Sequence, residues 1–140
     1  MREYIPRSRR LRAAIVVLAL AVLLSACPRR GEYIGTFDMS HYCLETWSGE
    51  YHICGNSQYG VGGDRLVPEE SLAVPASVLE TYPVGTKVMA VYPDGHSETL
   101  VIQDTGRALE RLGRIDLPVK SHKQALSLGV IEGVELYTVK

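Results

Sequence analysis

Phenylalanine and tryptophan occur only once each in 140 residues. No excess of positive charge is present: 15 basic and 16 acidic side chains give a formal net charge of −1. Beyond the first thirty residues there is no run of Lys or Arg, which excludes an extended basic surface for nucleic acid. The three Cys and four His show no CxxC or HxxxH spacing, so neither a zinc signature nor any cofactor motif is expected. Low-complexity tracts are absent, and 46% hydrophobic with 22% charged residues is ordinary globular composition. The length allows one domain. What is plentiful is Tyr (8), Gly (13) and Pro (7), a mixture that predicts many turns and few long helices.

The N-terminus reads as an export signal. Five Arg (2, 7, 9, 10 and 12) stand against one Glu3, and residues 13–24 form an apolar run of twelve. A membrane-crossing helix needs about 20 such residues, whereas a secretory h-region needs fewer. The run ends in Leu24-Ser25-Ala26-Cys27, which resembles the bacterial lipobox. That resemblance implies cleavage before Cys27, lipid on its sulfur, and anchoring through more than one acyl chain. An ordinary secretory signal or an uncleaved anchor are the alternatives. Residues 1–26 are thus assigned to the signal peptide and 27–34 to the lipidated Cys and a short tether. Removing 1–26 leaves 114 residues with ten basic and fifteen acidic side chains, net −5. The expected location is the cell envelope, on an outer membrane facing the periplasm if the cell has two membranes.

Cys43 and Cys54 then remain as an even pair in an oxidising compartment. They stand eleven residues apart, and a bridge contributes roughly 2–3 kcal/mol when unstrained. Two free thiols or half a metal site are the alternatives.

The rest of the chain alternates short apolar runs with turns. Tyr33–Cys43 is expected as a first strand, and 45–65, with its five glycines, as a loop holding one short strand. Leu72–Val74 is a strand stopped by Pro75. Lys87–Tyr92 and His96–Gln103 flank Pro93-Asp94-Gly95, a strong hairpin signal. Ser121–Leu128 is a short helix with an N-cap serine and a terminal Gly129. Gly133–Lys140 alternates as a closing strand. Short strands, abundant turns and one or two short helices predict a mainly β, small closed barrel over residues 35–140.

Several motifs occur in a telling order: Leu72-Ala73-Val74-Pro75, Val84-Gly85-Thr86-Lys87-Val88, Asp104-Thr105-Gly106-Arg107-Ala108-Leu109, Gly113-Arg114-Ile115-Asp116-Leu117, then Ala125-Leu126 with Gly129. The order resembles the 3D domain, named for three aspartates, of the double-psi β-barrel superfamily. Relatives of that domain include the catalytic barrel of membrane-bound lytic transglycosylase A, the rare lipoprotein A family and the expansin barrels. Thr36–Cys43 also resembles its first strand. Two departures stand out. Val74 or Pro75 occupies the place of one family aspartate, and the Asp104–Asp116 interval is one residue longer, with the extra residue expected in a loop at Glu110-Arg111-Leu112.

Read from the residues, Asp104 and Asp116 both lie at strand ends beside turns, where sites concentrate. Two carboxylates brought together raise one pKa and produce a general acid. Glycosidic cleavage needs that acid to protonate the leaving oxygen. The bland alternative is that each caps a turn. The resemblance implies that Asp116 is the acid/base of a lytic transglycosylase-like reaction, which takes the proton of the sugar's own 6-hydroxyl and activates no water. Asp104 then orients it or stabilises positive charge. Arg107 and Arg114 flank the pair as ion-pair partners or as holders of substrate carboxylates. Tyr42, Tyr59, Tyr92 and Trp47 are candidate sugar-stacking rings, each with a core or rim role as its alternative. His41 is expected to be satisfied or solvated, and His96 and His122 exposed. Gly106 and Gly113 are expected in turns that need positive φ, and Gly106 is counted with Arg107, Arg114 and Tyr42 among the substrate-binding candidates. The partners expected are peptidoglycan glycan strands and the membrane through Cys27. A non-catalytic glycan-binding barrel, or an accessory lipoprotein docking an envelope protein, are the rival functions.

Overall fold

The computed structural model describes residues 29–45 and 57–140. The signal segment, Cys27, Trp47 and Cys54 lie outside the described residues. Six strands are present among the described residues: β1 (Arg30–Cys43), β2 (Ser71–Val74), β3 (Lys87–Val91), β4 (Ser97–Thr105), β5 (Arg114–Val119) and β6 (Ile131–Val139). They close into a barrel in the order β1-β5-β2-β4-β3-β6. The β1–β5 and β2–β4 pairs are parallel, and the others are antiparallel. Among the described residues no helix is long and apolar enough to cross a membrane.

Period-two alternation explains the closure. Met39, Leu72, Val74, Val88, Ala90, Leu100, Ile102, Ile115, Leu117, Val134 and Leu136 point inward and form one buried cluster. Each such aliphatic side chain contributes about 1.5–3 kcal/mol by leaving water. The β3–β4 hairpin forms where Pro93-Asp94-Gly95 predicts it, with Gly95 at φ 90° and its N–H on the Tyr92 carbonyl at 2.9 Å.

Among the described residues there are three helices, not one or two: α1 (Ala76–Thr81), α2 (Arg107–Leu112) and α3 (His122–Leu128). Pro75 ends β2, as expected, but it also starts α1. Its fixed φ of −53° suits a helix entry, and its carbonyl accepts from the Val78 and Leu79 N–H groups. Helix α2 occupies the stretch read as a loop. Its Glu110 carboxylate accepts from the Ser77 N–H at 3.1 Å and from the Ser77 hydroxyl, tying the two short helices together. Helix α3 matches its sequence signals: Ser121 Oγ accepts from the Gln124 N–H at 3.2 Å, and Gly129 ends it.

Three further expectations are corrected. Residues 30–34, given to the tether, are strand, because β6 runs to Val139 and pairs back as far as Arg30. Asp116 is not at a strand end, since β5 continues through Pro118 to Val119. A proline is tolerated there because β5 shares only one registered pair with β2, Ala73↔Asp116, so that ladder is already ending. Gly106 stands at φ −141°, ordinary extended backbone. Its small size matters instead, since a Cβ would press to 3.1 Å on Leu109. Gly113 does take the left-handed φ of 62° that ends α2.

Candidate functional site

The carboxylates meet on the outer face of the barrel. Ala73 of β2 is registered with Asp104 of β4 on one side and Asp116 of β5 on the other. Side chains in register across a sheet share a face, so both carboxylates flank one small, 4% exposed methyl group. Two strand spacings put their Cα atoms about 9–10 Å apart.

A bulge makes this possible. Leu72 pairs with Ile102, yet the next residue, Ala73, pairs with Asp104. Gln103 is the extra residue, and inserting it turns Asp104 from the inward parity of Leu100 and Ile102 to the outside. The Gln103 side chain accepts a hydrogen bond from the buried Ser71 hydroxyl. On β5, simple alternation suffices: Ile115 and Leu117 enter the core and Asp116 faces out. On β1, Ser40 is registered with Asp116, and Tyr42 stands two residues along on the same face.

The two carboxylates are unequal. Asp116 is pushed up to about 6, chiefly by burial. The Ser40 hydroxyl, the His41 ring and the Arg114 charge oppose that rise, and the Asp104 charge adds least to it. Burial, more than the proximity of two charges, therefore produces the weak acid. Asp104 is raised too, again by burial, but the backbone N–H groups of Thr105 and Val61 hold it down. Two buried polar atoms have no hydrogen-bond partner among the described residues: Asp116 Oδ1 and Tyr42 Oη. The Tyr42 phenol is raised well above its ordinary range, first by burial and then by the charges of Asp104 and Asp116.

A tight loop supplies the Val61 N–H. Tyr59 and Arg65 form a bridge, and the Gly60 N–H donates to the Asp64 carbonyl at 2.9 Å. Gly60 lies so close to the Gln103 carbonyl that no Cβ fits between them. Beside this loop lies a cavity of about 780 Å³, walled by Leu44, Gln58, Arg65, Leu66 and Lys120 among others. Neither carboxylate lines it.

The remaining candidates separate. Arg114 is half-buried on the face of Asp116 and favours its ionised form. Arg107 is exposed at the start of α2 and forms no ion pair among the described residues. His41 is satisfied: its Nδ1 lies 2.8 Å from the Gly129 carbonyl, with the ring 8% exposed. Tyr92 is a core residue bonded to Glu98, which removes it from the stacking candidates. His96 is exposed, stacked on Tyr92 and held 2.5 Å from Asp94. Tyr59 is exposed in the loop. Cys43 is wholly buried at the end of β1. No cluster of His, Cys, Asp and Glu fit for a metal occurs among the described residues. Ser40, Ala73 and the Val61 N–H complete the site without having been singled out. Ser40 was readable from its two-residue spacing to Tyr42; a backbone N–H carries no sequence signal.

The architecture is that of a small mainly β barrel with its polar constellation on the outer wall. No protein-family model matches the chain, and no curated protein matches it. Among solved structures it is similar to Streptomyces papain inhibitor, with 18% identity and a TM-score of 0.53 over 81% of this chain and all of that one. At that identity the likeness concerns the fold.

Proposed function

We propose that this chain is a lipid-anchored envelope protein whose barrel, of double-psi connectivity, cleaves peptidoglycan glycan strands by a lytic transglycosylase-like route. One observation carries the reading: a carboxyl raised to about 6 by burial, with one oxygen unbonded among the described residues, stands across a single alanine from a second carboxylate. Protonated Asp116 gives its proton to the glycosidic oxygen, and its carboxylate then takes one from the attacking hydroxyl. Asp104, kept more acidic by two backbone N–H groups, stabilises the positive charge that develops on the sugar. Arg114 tunes Asp116, while Arg107 and the neighbouring cavity offer contacts to the stem peptides. The Cys27 anchor and the Cys43–Cys54 bridge belong to the same proposal.

The test is incubation of the full-length protein, in detergent, with purified peptidoglycan, beside Asp116→Asn. Anhydro-ended fragments that fall by a hundredfold or more in the variant support the reading. The wild-type rate should also decline as pH rises through about 6, where the acid loses its proton. Sedimentation with peptidoglycan in the absence of any products makes the barrel a glycan-binding module instead.

A second reading rests on the loop at 57–66. Its hydrogen bonds hold it in one shape, while Tyr59 and Val61 stand 59% and 56% exposed. A rigid loop with apolar tips suits insertion into a protease cleft, and the structural neighbour is by name a papain inhibitor. Loss of papain activity on titration with this protein supports it; unchanged papain activity removes it.

A further inference from the structure

Strand β1 starts at Arg30, three residues after Cys27 in the sequence. Three residues span at most about 11 Å. Whatever surface holds Cys27 therefore has the start of β1 close beside it.

The barrel gathers cations at this end. Strands β1 and β3 begin, and β6 finishes, side by side: Arg30 is registered with Val139, and Val88 with Thr138. One step before Val88, Lys87 flanks Val139 from the other side. The Lys140 N–H donates to the Arg29 carbonyl at 3.2 Å. Arg29, Arg30, Lys87 and Lys140 are all exposed, and none forms an ion pair among the described residues. They are four of the ten basic side chains of residues 27–140, a stretch whose net charge is −5.

Aromatic rings stand among these cations. The Arg30 guanidinium lies 5.2 Å over the Tyr137 ring, and the Tyr33 ring is 5.4 Å from the same ring. Tyr33 is 53% exposed. Of the acids nearby, Glu135 is engaged, accepting from the Tyr137 hydroxyl at 2.7 Å, and Glu32 is exposed. Phenols with an apolar body and a polar tip, mixed with long cationic side chains, suit the boundary between lipid headgroups and acyl chains.

We propose that this end of the barrel docks on anionic lipid headgroups, with Arg29, Arg30, Lys87 and Lys140 against the phosphates and Tyr33 at the edge of the acyl region. This rests on the lipid-anchor part of the reading above and adds to it an orientation set by charge. An anchor alone leaves a net-negative domain turning freely beside a leaflet that repels it. A local patch of opposite sign fixes which end faces the lipid. Strand β1 then leads away from the leaflet, and Ser40, registered with Asp116, stands ten residues and up to about 33 Å further along. The wall that carries the carboxylates is thereby held off the lipid.

The experiment reconstitutes the protein, as cells process it, into phosphatidylcholine vesicles with and without phosphatidylglycerol. Mass spectrometry reads the lipid on Cys27 and then the acetylation of each lysine by a water-soluble reagent. Lys123 is the internal reference: it is exposed, and it follows the opposite end of the barrel, where Cys43 is registered with Val119. The expected result is about a fivefold fall in Lys87 labelling on phosphatidylglycerol, with Lys123 level and the difference lost at high salt. Arg30→Gln should weaken the docking about fivefold and return the Lys87 labelling. Equal Lys87 labelling on the two kinds of vesicle, low in both or high in both, overturns the proposal. So does protection of Lys87 by solubilised glycan strands but not by phosphatidylglycerol, which makes this face a sugar contact. A Cys27 without lipid overturns the anchor reading and this proposal with it, whereas a lipidated Cys27 with Lys87 unprotected overturns this proposal alone.

Discussion

Tyr92 and Tyr42 are two phenols that the same barrel withdraws from water in opposite ways. Tyr92 is 7% exposed, donates to the Glu98 carboxylate, and has its oxygen 3.3 Å from Met39 Sδ. Tyr42 is half-buried, and its hydroxyl has no partner among the described residues. Burial is the first cause of the upward displacement of both, but the second differs: a made hydrogen bond for Tyr92, unpaired charge for Tyr42. The barrel satisfies the phenol that serves its own closure and, among the described residues, leaves Tyr42 Oη and Asp116 Oδ1 without partners on the wall where the carboxylates stand. The inside is therefore expected to yield only losses on substitution, and the outer wall gains in stability.

The largest effect belongs to the inside. Ile102 is wholly buried, on the inward parity of β4 immediately before the bulge. Ile102→Ala should cost about 2–5 kcal/mol, read by chemical denaturation. A cost below about 1 kcal/mol would mean that the bulge region repacks freely, and the placement of Asp104 would lose its basis.

Next comes a gain. Asp116 titrates near 6 in the folded chain against a reference of 3.8. Below pH 3.8 both folded and unfolded chains hold the proton, and burial carries no ionic penalty. Between 3.8 and 6 the unfolded chain releases its proton first, so stability falls as pH rises. Above 6 the whole penalty is present, of the order of 2–3 kcal/mol. Asp116→Asn should therefore stabilise the protein at about pH 7.5 by roughly that amount and do little at about pH 3.5. An equal effect at both pH values would remove burial as the cause.

Much of the inside was legible. Alternation gave the β6 strand, Pro93-Asp94-Gly95 gave the β3–β4 hairpin, and Ser121 with Gly129 bounded α3. Pro75 stopped β2 as read, but the sequence did not show that it also opens α1, nor that β5 runs on past Asp116 through Pro118. Helix α2 was hidden because six residues carry too little periodicity to set against a Gly-Arg turn signal. Of the outer wall, Asp104, Asp116, Tyr42 and Arg114 were found as residues. Their arrangement was not, since it depends on a bulge at Gln103 and on β2 lying between β4 and β5. Coupled carboxylates were expected to raise the acid, whereas burial dominates. That follows from long-range pairing, which local sequence does not encode.

A smaller loss should come from the satisfied phenol. Tyr92→Phe removes the donor to Glu98 and leaves a half-buried carboxylate without it. The expected cost is about 1–2 kcal/mol. Glu98→Gln in the same background should restore little, because an amide gains nothing from a ring lacking its hydroxyl.

The smallest effect is the most discriminating, because it is the same chemical edit made at the other tyrosine. Tyr42→Phe deletes a hydroxyl that makes no hydrogen bond among the described residues and is nevertheless out of water. Folding had to strip that hydroxyl of its hydration without compensation, a cost that the variant does not incur. Its ring still packs on the wall, so the apolar contacts survive. The thermal midpoint should therefore stay level or rise, by up to about 1 kcal/mol of stability, while Tyr92→Phe falls. Opposite signs for one atom removed at two buried phenols would mark the outer wall as the part of the barrel organised around something other than its own stability. A loss at Tyr42 matching that at Tyr92 would mean that its hydroxyl has a partner within the fold.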